Sequence, residues 1–428
     1  MSVLSGIRRG GRGVVGLWAV VWAGVAIVPA AGSGAAQVEV RTIDGSFLHG
    51  QYAGIGPNDV LRLHVDGTAL QLRLDQVERI VFDTPQQPPR TSADDTDFHL
   101  ADGGHLTGRI VAAIDDGIAV RTAFAESVAL KFEQLAAIRF PADPDPPQAR
   151  EVFENERAAR LPGKDVLVSR TEQGVKAVRG TIVSLGPTRG RFVFNEQERA
   201  FDVSSIYALV CARGIAPTGP APARIHLADG AVLSARLLPS GDAQVAFETS
   251  FGARLELSCD WVRTITLHSD RVVYVSDLEP VRQDVQGLLH APWPVRLDAS
   301  VTNAPIRLDN HVFEKGLGVH ARTQLVYALA GEFERFCATI GIDDAVRPRG
   351  DVVFRVLGDG HNLFNSDPVT GRDAAQDLNI DVTGVKELTL LVDFGEQMDL
   401  GDHADWADAR VLRPADAPRN APGGPSEP

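Results

Sequence analysis

The densest grouping of chemically able side chains lies near the C-terminus, in GDHADWADA, residues 401–409. Asp402, His403, Asp405, Trp406 and Asp408 fall within this run. Read as a strand, it points His403 and Asp405 to one face and Asp402, Trp406 and Asp408 to the other. Carboxylate and imidazole groups can hold hydroxyls, and an indole offers a flat face to the C–H side of a sugar ring. The same oxygens suit a hard cation such as calcium. The plainer reading makes Trp406 a core residue and the aspartates turn and loop formers. His320, in GLGVHA, is the second candidate. Gly316 and Gly318 imply tight backbone there, so His320 is either a wall of a site or a buried structural histidine. Asp343 and Asp344 together could help hold a structural calcium, the one cofactor the residues suggest. A solvated loop is the simpler fate of either. Asp359, in Gly-Asp-Gly, reads as a turn former.

Other chemistries find less support. Glycoside hydrolysis needs two carboxylates at a suitable separation, and any Asp-rich chain offers such pairs by chance. His226, His268 and His290 are isolated. GLGVH lacks the Lys-Ser/Thr end of a phosphate loop. Cys211, Cys259 and Cys337 are an odd, sparse set, which rules out a disulfide scaffold, and their spacings match no zinc site. Burial as small hydrophobes is expected of them, with a Cys211–Cys259 bridge as the alternative.

Four similar segments precede this region, at residues 37–84, 98–142, 164–212 and 224–270. Three carry Asp-Gly at the same place: Asp44-Gly45, Asp102-Gly103 and Asp229-Gly230. Between short alternating strands, Asp-Gly is a hairpin signal, because its turn needs positive φ. A second glycine follows at Gly50, Gly108 and Gly180, where it marks a bulge or sharp bend. Each segment ends in a short apolar strand centred on Ile80, Ile138, Ile206 or Ile265. In the first, second and fourth, 35 residues separate the turn glycine from that isoleucine. In the third, Gln173-Gly174 replaces Asp-Gly and the offset to Ile206 is 32. Strong bends curl a short sheet into a small barrel. Each segment is therefore expected to be a bent β-meander, loosely similar to SH3-like or Sm-like barrels. Cores this small are marginal, so neighbouring units are expected to pack or to share strands. Pro-rich linkers separate the units at residues 85–97, 141–147 and 214–222, and residues 154–160 could form one short helix.

From Trp293 the texture changes, with denser aromatics, Asp and Gly. Val352, Phe354 and Val356 alternate before Gly358-Asp359-Gly360, and Leu388, Leu390, Val392 and Phe394 alternate later. These patterns predict an antiparallel sandwich of short strands over residues 292–413. Five ordered blocks carry a more specific resemblance. They are FEKGLGVHA, YALAGEFERFCATIGIDD, GDVVFRVLGDGHNLFNS, DVTGVKELTLLVDFG and GDHADWADARV. Together they resemble the NPCBM family, also called NEW2, a galactose-binding-like β-jelly roll often attached to glycoside hydrolases. The resemblance implies carbohydrate binding rather than cleavage. On it rests the expectation that His320, Asp402, His403, Asp405 and Trp406 contact a neutral, galactose-type glycan.

The N-terminus reads as an export signal over residues 1–36. Arg8, Arg9 and Arg12 precede an apolar run from Val14 to Val28, and small residues follow Pro29. Cleavage near Ala36 would leave no membrane anchor, and the run is short for a comfortable span. Residues 414–428 are a Pro, Ala and Gly tail expected to be disordered. The net charge of −14 disfavours nucleic acid as a partner, because phosphate binding needs clustered Lys and Arg. The expected protein is thus all-β, secreted or in the cell envelope, non-catalytic, and a binder of glycan. The alternatives are an adhesion or scaffold protein whose repeats contact other proteins, and an accessory subunit of a glycoside hydrolase.

Overall fold

The computed structural model describes residues 28–29, 36–83, 95–142, 144–159, 163–171, 174–212, 221–287, 292–395 and 401–415. All of the export segment except Val28, Pro29 and Ala36, and most of the C-terminal tail, lie outside these residues. The described residues are almost entirely β, with one α-helix of 13 residues, Pro147–Ala159.

Each repeat is a five-stranded, strongly bent meander. In the first, Gln37–Thr42, Phe47–Gly56, Val60–Val65 and Thr68–Arg73 lead into Val77–Phe82 through a single 3-10 turn, Leu74–Gln76. The same turn recurs at Phe132–Gln134, Val203–Ser205 and Cys259–Trp261. In all four, the first residue after the turn donates its N–H back to the first turn carbonyl. The second-strand glycines work as the sequence predicts. A Cβ at Gly108 would lie 2.3 Å from the Arg121 carbonyl oxygen, and one at Gly180 would lie 2.1 Å from that of Val193. Only glycine permits that approach, and the register shifts just beyond it in both strands.

The repeats pair out of sequence order. The last strand of repeat 1 lies antiparallel to that of repeat 4, with Ile80 opposite Ile265. The last strands of repeats 2 and 3 pair likewise, with Ile138 opposite Leu209. A single bridge, Val232 to His105, joins repeat 4 to repeat 2. One continuous apolar core runs through all four units. Sharing strands and core this way relieves the marginal burial of each small meander. The third repeat corrects the sequence reading. Its equivalent of Ile80 is Leu209, not Ile206, and Gly174 to Leu209 is again 35 residues. Ile206 is buried at the start of its strand instead.

The C-terminal sandwich begins earlier than residue 292. Val272–Tyr274, the 3-10 turn Val275–Asp277 and Leu278 repeat the same corner a fifth time, with the Leu278 N–H closing on Val275. This half-repeat laces the sandwich together. Val272–Tyr274 pairs with His403–Leu412 in one sheet, and Arg282–Val285 pairs with Thr323–Ala328 in the other. The first sheet also contains Arg296–Leu297, Gly316–His320, Arg335–Ile342 and Gln376–Asp381. The second adds Glu387–Phe394, Asp351–Gly358, His361–Asn365 and Val369–Thr370. The two sheets enclose one core that includes Val275. A small hairpin, Ile306–Leu308 with His311–Phe313, lies over the outer face of the first sheet, and Ile306 and Leu308 pack on Ala407.

Repeat 1 docks directly on that same outer face. Its Asp44-Gly45 turn sets the Ile43 carbonyl 2.9 Å from Arg410 Nε, while Asn379 Nδ2 donates to the Asp44 carbonyl at 3.2 Å. Ile43 joins Cys337 and Leu412 in a small apolar contact. All three cysteines are buried thiols without disulfides, so the Cys211–Cys259 bridge is not formed.

Candidate functional site

The strand His403–Leu412 positions every side chain of the GDHADWADA run. Gly316–His320 pairs with it on one side, placing His320 opposite His403 and Gly318 opposite Asp405. Arg335–Ile342 pairs with it on the other. The predicted alternation holds up to Ala407. Ala404 and Trp406 enter the core, and His403 and Asp405 face outward. Asp408 then adopts φ 53°, and two residues of this strand, Asp408 and Ala409, oppose one of its neighbour, Ala338. The bulge turns Asp408 outward beside Arg410.

Trp406 is not a binding platform. It is 1% exposed and meets Phe354 edge-on at 5.0 Å and Phe336 at 6.1 Å. Asp402 is also buried, and its Oδ1 accepts the Asp351 N–H at 2.9 Å, which ties a loop rather than a ligand. Asp405 faces outward, but the layer above covers it. Its carboxyl oxygens accept no N–H or O–H donor, and its pKa is driven far up, first by burial and then by Asp343. A buried carboxyl in that position keeps its proton, and it donates that proton toward Asp343. Asp402, Asp405 and Trp406 are therefore corrected from contact residues to internal ones.

Calcium at Asp343 and Asp344 is corrected as well. Asp344 accepts the backbone N–H groups of Asp309 and Asn310 at 3.1 and 2.8 Å and pairs with Arg347 at 3.2 Å. Asp343 accepts the Ala345 and Arg307 N–H groups at 2.9 and 3.4 Å. Both carboxylates hold the covering hairpin in place. The described residues contain no group of three or more His, Cys, Asp or Glu side chains fit for a metal.

What the strand ends do bring together is His320, His403 and Trp293. Trp293 stacks on His320 with ring centres 5.7 Å apart and planes 9° apart. Its centre lies 5.3 Å from His403, and the two imidazoles are 5.7 Å apart. Trp293 is 39% exposed, so an indole face meets solvent beside two hydrogen-bonding rings. His320 Nδ1 donates to the Ala321 carbonyl at 2.6 Å, since a carbonyl can only accept, and this leaves Nε2 for a ligand. Burial, and then the neighbouring His320, pull the His403 pKa below the usual histidine value, so His403 is neutral at pH 7. Sequence reasoning missed Trp293. It precedes the first quoted block, and no periodicity marks it. Its only signal was a lone tryptophan opening an aromatic-rich stretch.

Comparison with known proteins finds a family match over the part of the chain that contains these residues. Residues 271–412 match the NPCBM/NEW2 domain, which begins at the half-repeat corner. A protein of Renibacterium salmoninarum that bears the name of an endo-alpha-N-acetylgalactosaminidase is 30% identical over 180 residues, covering 40% of this chain and 12% of its own length. Alpha-1,3-galactosidase B of Akkermansia muciniphila is 31% identical over 117 residues, covering 26% of this chain and 15% of its own length. The chain thus spans well under a fifth of either relative. Among solved structures, a CBM51 module from Clostridium perfringens GH95 in complex with methyl-galactose is 26% identical, with a TM-score of 0.31, covering 33% of this chain and 99% of that one. The match to the NPCBM/NEW2 domain thus takes in both sheets of the C-terminal sandwich.

Proposed function

We propose that the chain is an exported, non-catalytic glycan-binding protein that holds a neutral, galactose-type sugar at Trp293, His320 and His403. The observation that carries the reading is the half-exposed indole beside two imidazoles. A saccharide presents an apolar C–H face and a rim of hydroxyls, and these three rings match both. The domain match supports the ligand class, and the glycosidase names of the partial relatives support the galactose type. Binding without cleavage fits the burial of Asp402, Asp405 and Asp343, carboxyls on the elements that carry the site. Each hydroxyl contact competes with water, so affinity is expected on the order of millimolar to micromolar.

An array of galactosides, fucosides and host-type glycans tests this with the full chain. The wild type should give signal, and Trp293→Ala should weaken it roughly tenfold, about 1.4 kcal/mol. The melting temperature should be unchanged, because Trp293 is outside the core. Signal should also fall at acid pH, once His403 gains a proton and its ring nitrogens can no longer accept a hydroxyl. A well-folded wild type that gives no signal refutes the carbohydrate reading. The scaffold reading, supported by four repeats fused on one core, then takes its place.

A further inference from the structure

We propose that the cleft between repeat 1 and the sandwich is a second saccharide site, built jointly by both units. The cleft has a volume of about 750 Å³, within the range of small-ligand sites. It lies on the same outer face as the first site, at the other end of the His403–Leu412 strand. Asp408 is five residues from His403, about 17 Å along the strand. The covering hairpin, Ile306–Leu308 with His311–Phe313, stands between the two.

The floor of this cleft is rigid. Arg41 of repeat 1 meets Asp408 at 2.5 Å and Glu78 at 3.5 Å, and Arg410 meets both acids from below. That network fixes the width between the units. Two exposed apolar side chains, one from each unit, also line the cleft. Phe47 of repeat 1 is 51% exposed, and Val312 of the hairpin is 54% exposed. Phe47 also carries the Arg41 guanidinium 5.7 Å from its ring centre, which orients the ring. Single exposed apolar residues are ordinary on a surface. Two that line one polar cleft offer the apolar contacts a pyranose needs.

The polar wall supplies hydrogen bonds. Tyr274, from the half-repeat, lines the cleft half-buried, and its hydroxyl has no hydrogen-bond partner among the described residues. Burial, and then Asp408, push its pKa up to about 12, so it remains a donor at any ordinary pH. A donor on the cleft wall can serve a sugar hydroxyl or ring oxygen in place of water. Asp377 and Thr339, bonded to each other at 2.6 Å, and the Asn379 amide lie on the same wall. The walls carry more carboxylates than cations, which excludes sulfated or sialylated chains and leaves a neutral saccharide. Two such sites on one rigid body would engage a branched or densely glycosylated surface bivalently.

The ligand class rests on the carbohydrate reading, but the residues are separate, and the test divides the two. Full-length Trp293→Ala, Trp293→Ala/Tyr274→Phe and Trp293→Ala/Phe47→Ala are compared with wild type on an array of neutral oligosaccharides of two to six units. Tyr274→Phe removes one oxygen and should leave the melting temperature unchanged, which guards against misfolding. Trp293→Ala is expected to keep a weaker residual signal, and either second substitution should reduce that residue by roughly tenfold. A wild type that binds beside a silent Trp293→Ala overturns the second site and leaves the first. Residual signal that neither Tyr274→Phe nor Phe47→Ala moves also overturns it. Full signal in Trp293→Ala, lost in the double variants, keeps the second site and removes the first. Silence in every protein overturns both.

Discussion

Replacing Arg410 with alanine should cost about 3–5 kcal/mol of stability, the range for removing one partner of a buried ion pair. Arg410 is 2% exposed and lies where repeat 1 meets the sandwich. Its Nε donates to the Ile43 carbonyl at 2.9 Å, and its Nη1 donates to the Asp408 carbonyl at 3.1 Å. Its Nη2 lies 3.4 Å from Glu78. Arg41 approaches the same two acids from the other unit, so two guanidinium groups balance two carboxylates. Without Arg410, two buried acids share one cation. The burden falls first on Glu78, whose pKa is already raised by burial and held back chiefly by Arg410 and Arg41. In the variant Glu78 should therefore keep its proton to higher pH. The folded state then binds a proton that the unfolded state releases, so the variant's deficit should grow as pH rises above about 4.5. Thermal melts from pH 5 to 8 would show this, and limited proteolysis should cut near the junction first. A loss below about 1 kcal/mol with no pH trend would mean the network is not coupled to folding. The double change Arg410→Met and Glu78→Gln should recover much of the loss, because Arg41 and Asp408 then balance each other one to one.

Much of the architecture was written in short-range pattern. Asp-Gly turns, bend glycines and the 35-residue offset are local consequences of one meander, so they survive in sequence. The third repeat misled because Ile206 and Leu209 are both buried apolar residues three apart, and side-chain type alone does not say which one faces the dyad. The fifth corner, Val272–Leu278, went unseen because it is half a unit with no Asp-Gly to announce it. Site reading failed for a different reason. Alternation placed His403 and Asp405 on one face, opposite Trp406, and the structure makes that face the outer one. The pattern could not say what covers the outer face. His403 sits at an open strand end, Asp405 lies under the hairpin pinned by Asp343 and Asp344, and Arg410 lies under repeat 1. Cover of this kind comes from chain far away in sequence. The same non-locality hid Trp293, which reaches His320 and His403 only after the sandwich closes.

Asp405→Asn should raise stability at neutral pH, although it removes a residue from the middle of the domain's most distinctive run. In the folded chain Asp405 keeps its proton well above the usual carboxylate range, chiefly through burial and then through Asp343. In the unfolded chain it ionises near pH 3.9. Between those limits the folded state binds one more proton than the unfolded state, so stability declines as pH rises. Asparagine is neutral in both states and removes that decline. Its amide can still donate one hydrogen bond toward Asp343, as the protonated acid does. Wild type and variant should therefore melt together near pH 4. By pH 8 the variant should be ahead by about 1–3 kcal/mol, the cost of a poorly satisfied buried polar group. That difference corresponds to roughly 2–4 °C per kcal/mol for a domain of this size. Calorimetry across pH 4 to 8 decides the matter: a variant that melts lower at pH 8 and keeps the wild-type slope would show Asp405 to be ionised and held by partners. Glycan binding supplies an independent readout. Asp405 lies on the same face as His403 but beneath the surface, so the variant's binding should match wild type within about twofold, a difference near 0.4 kcal/mol. A stabilised variant that has lost binding would place the Asp405 proton in contact with ligand rather than with Asp343.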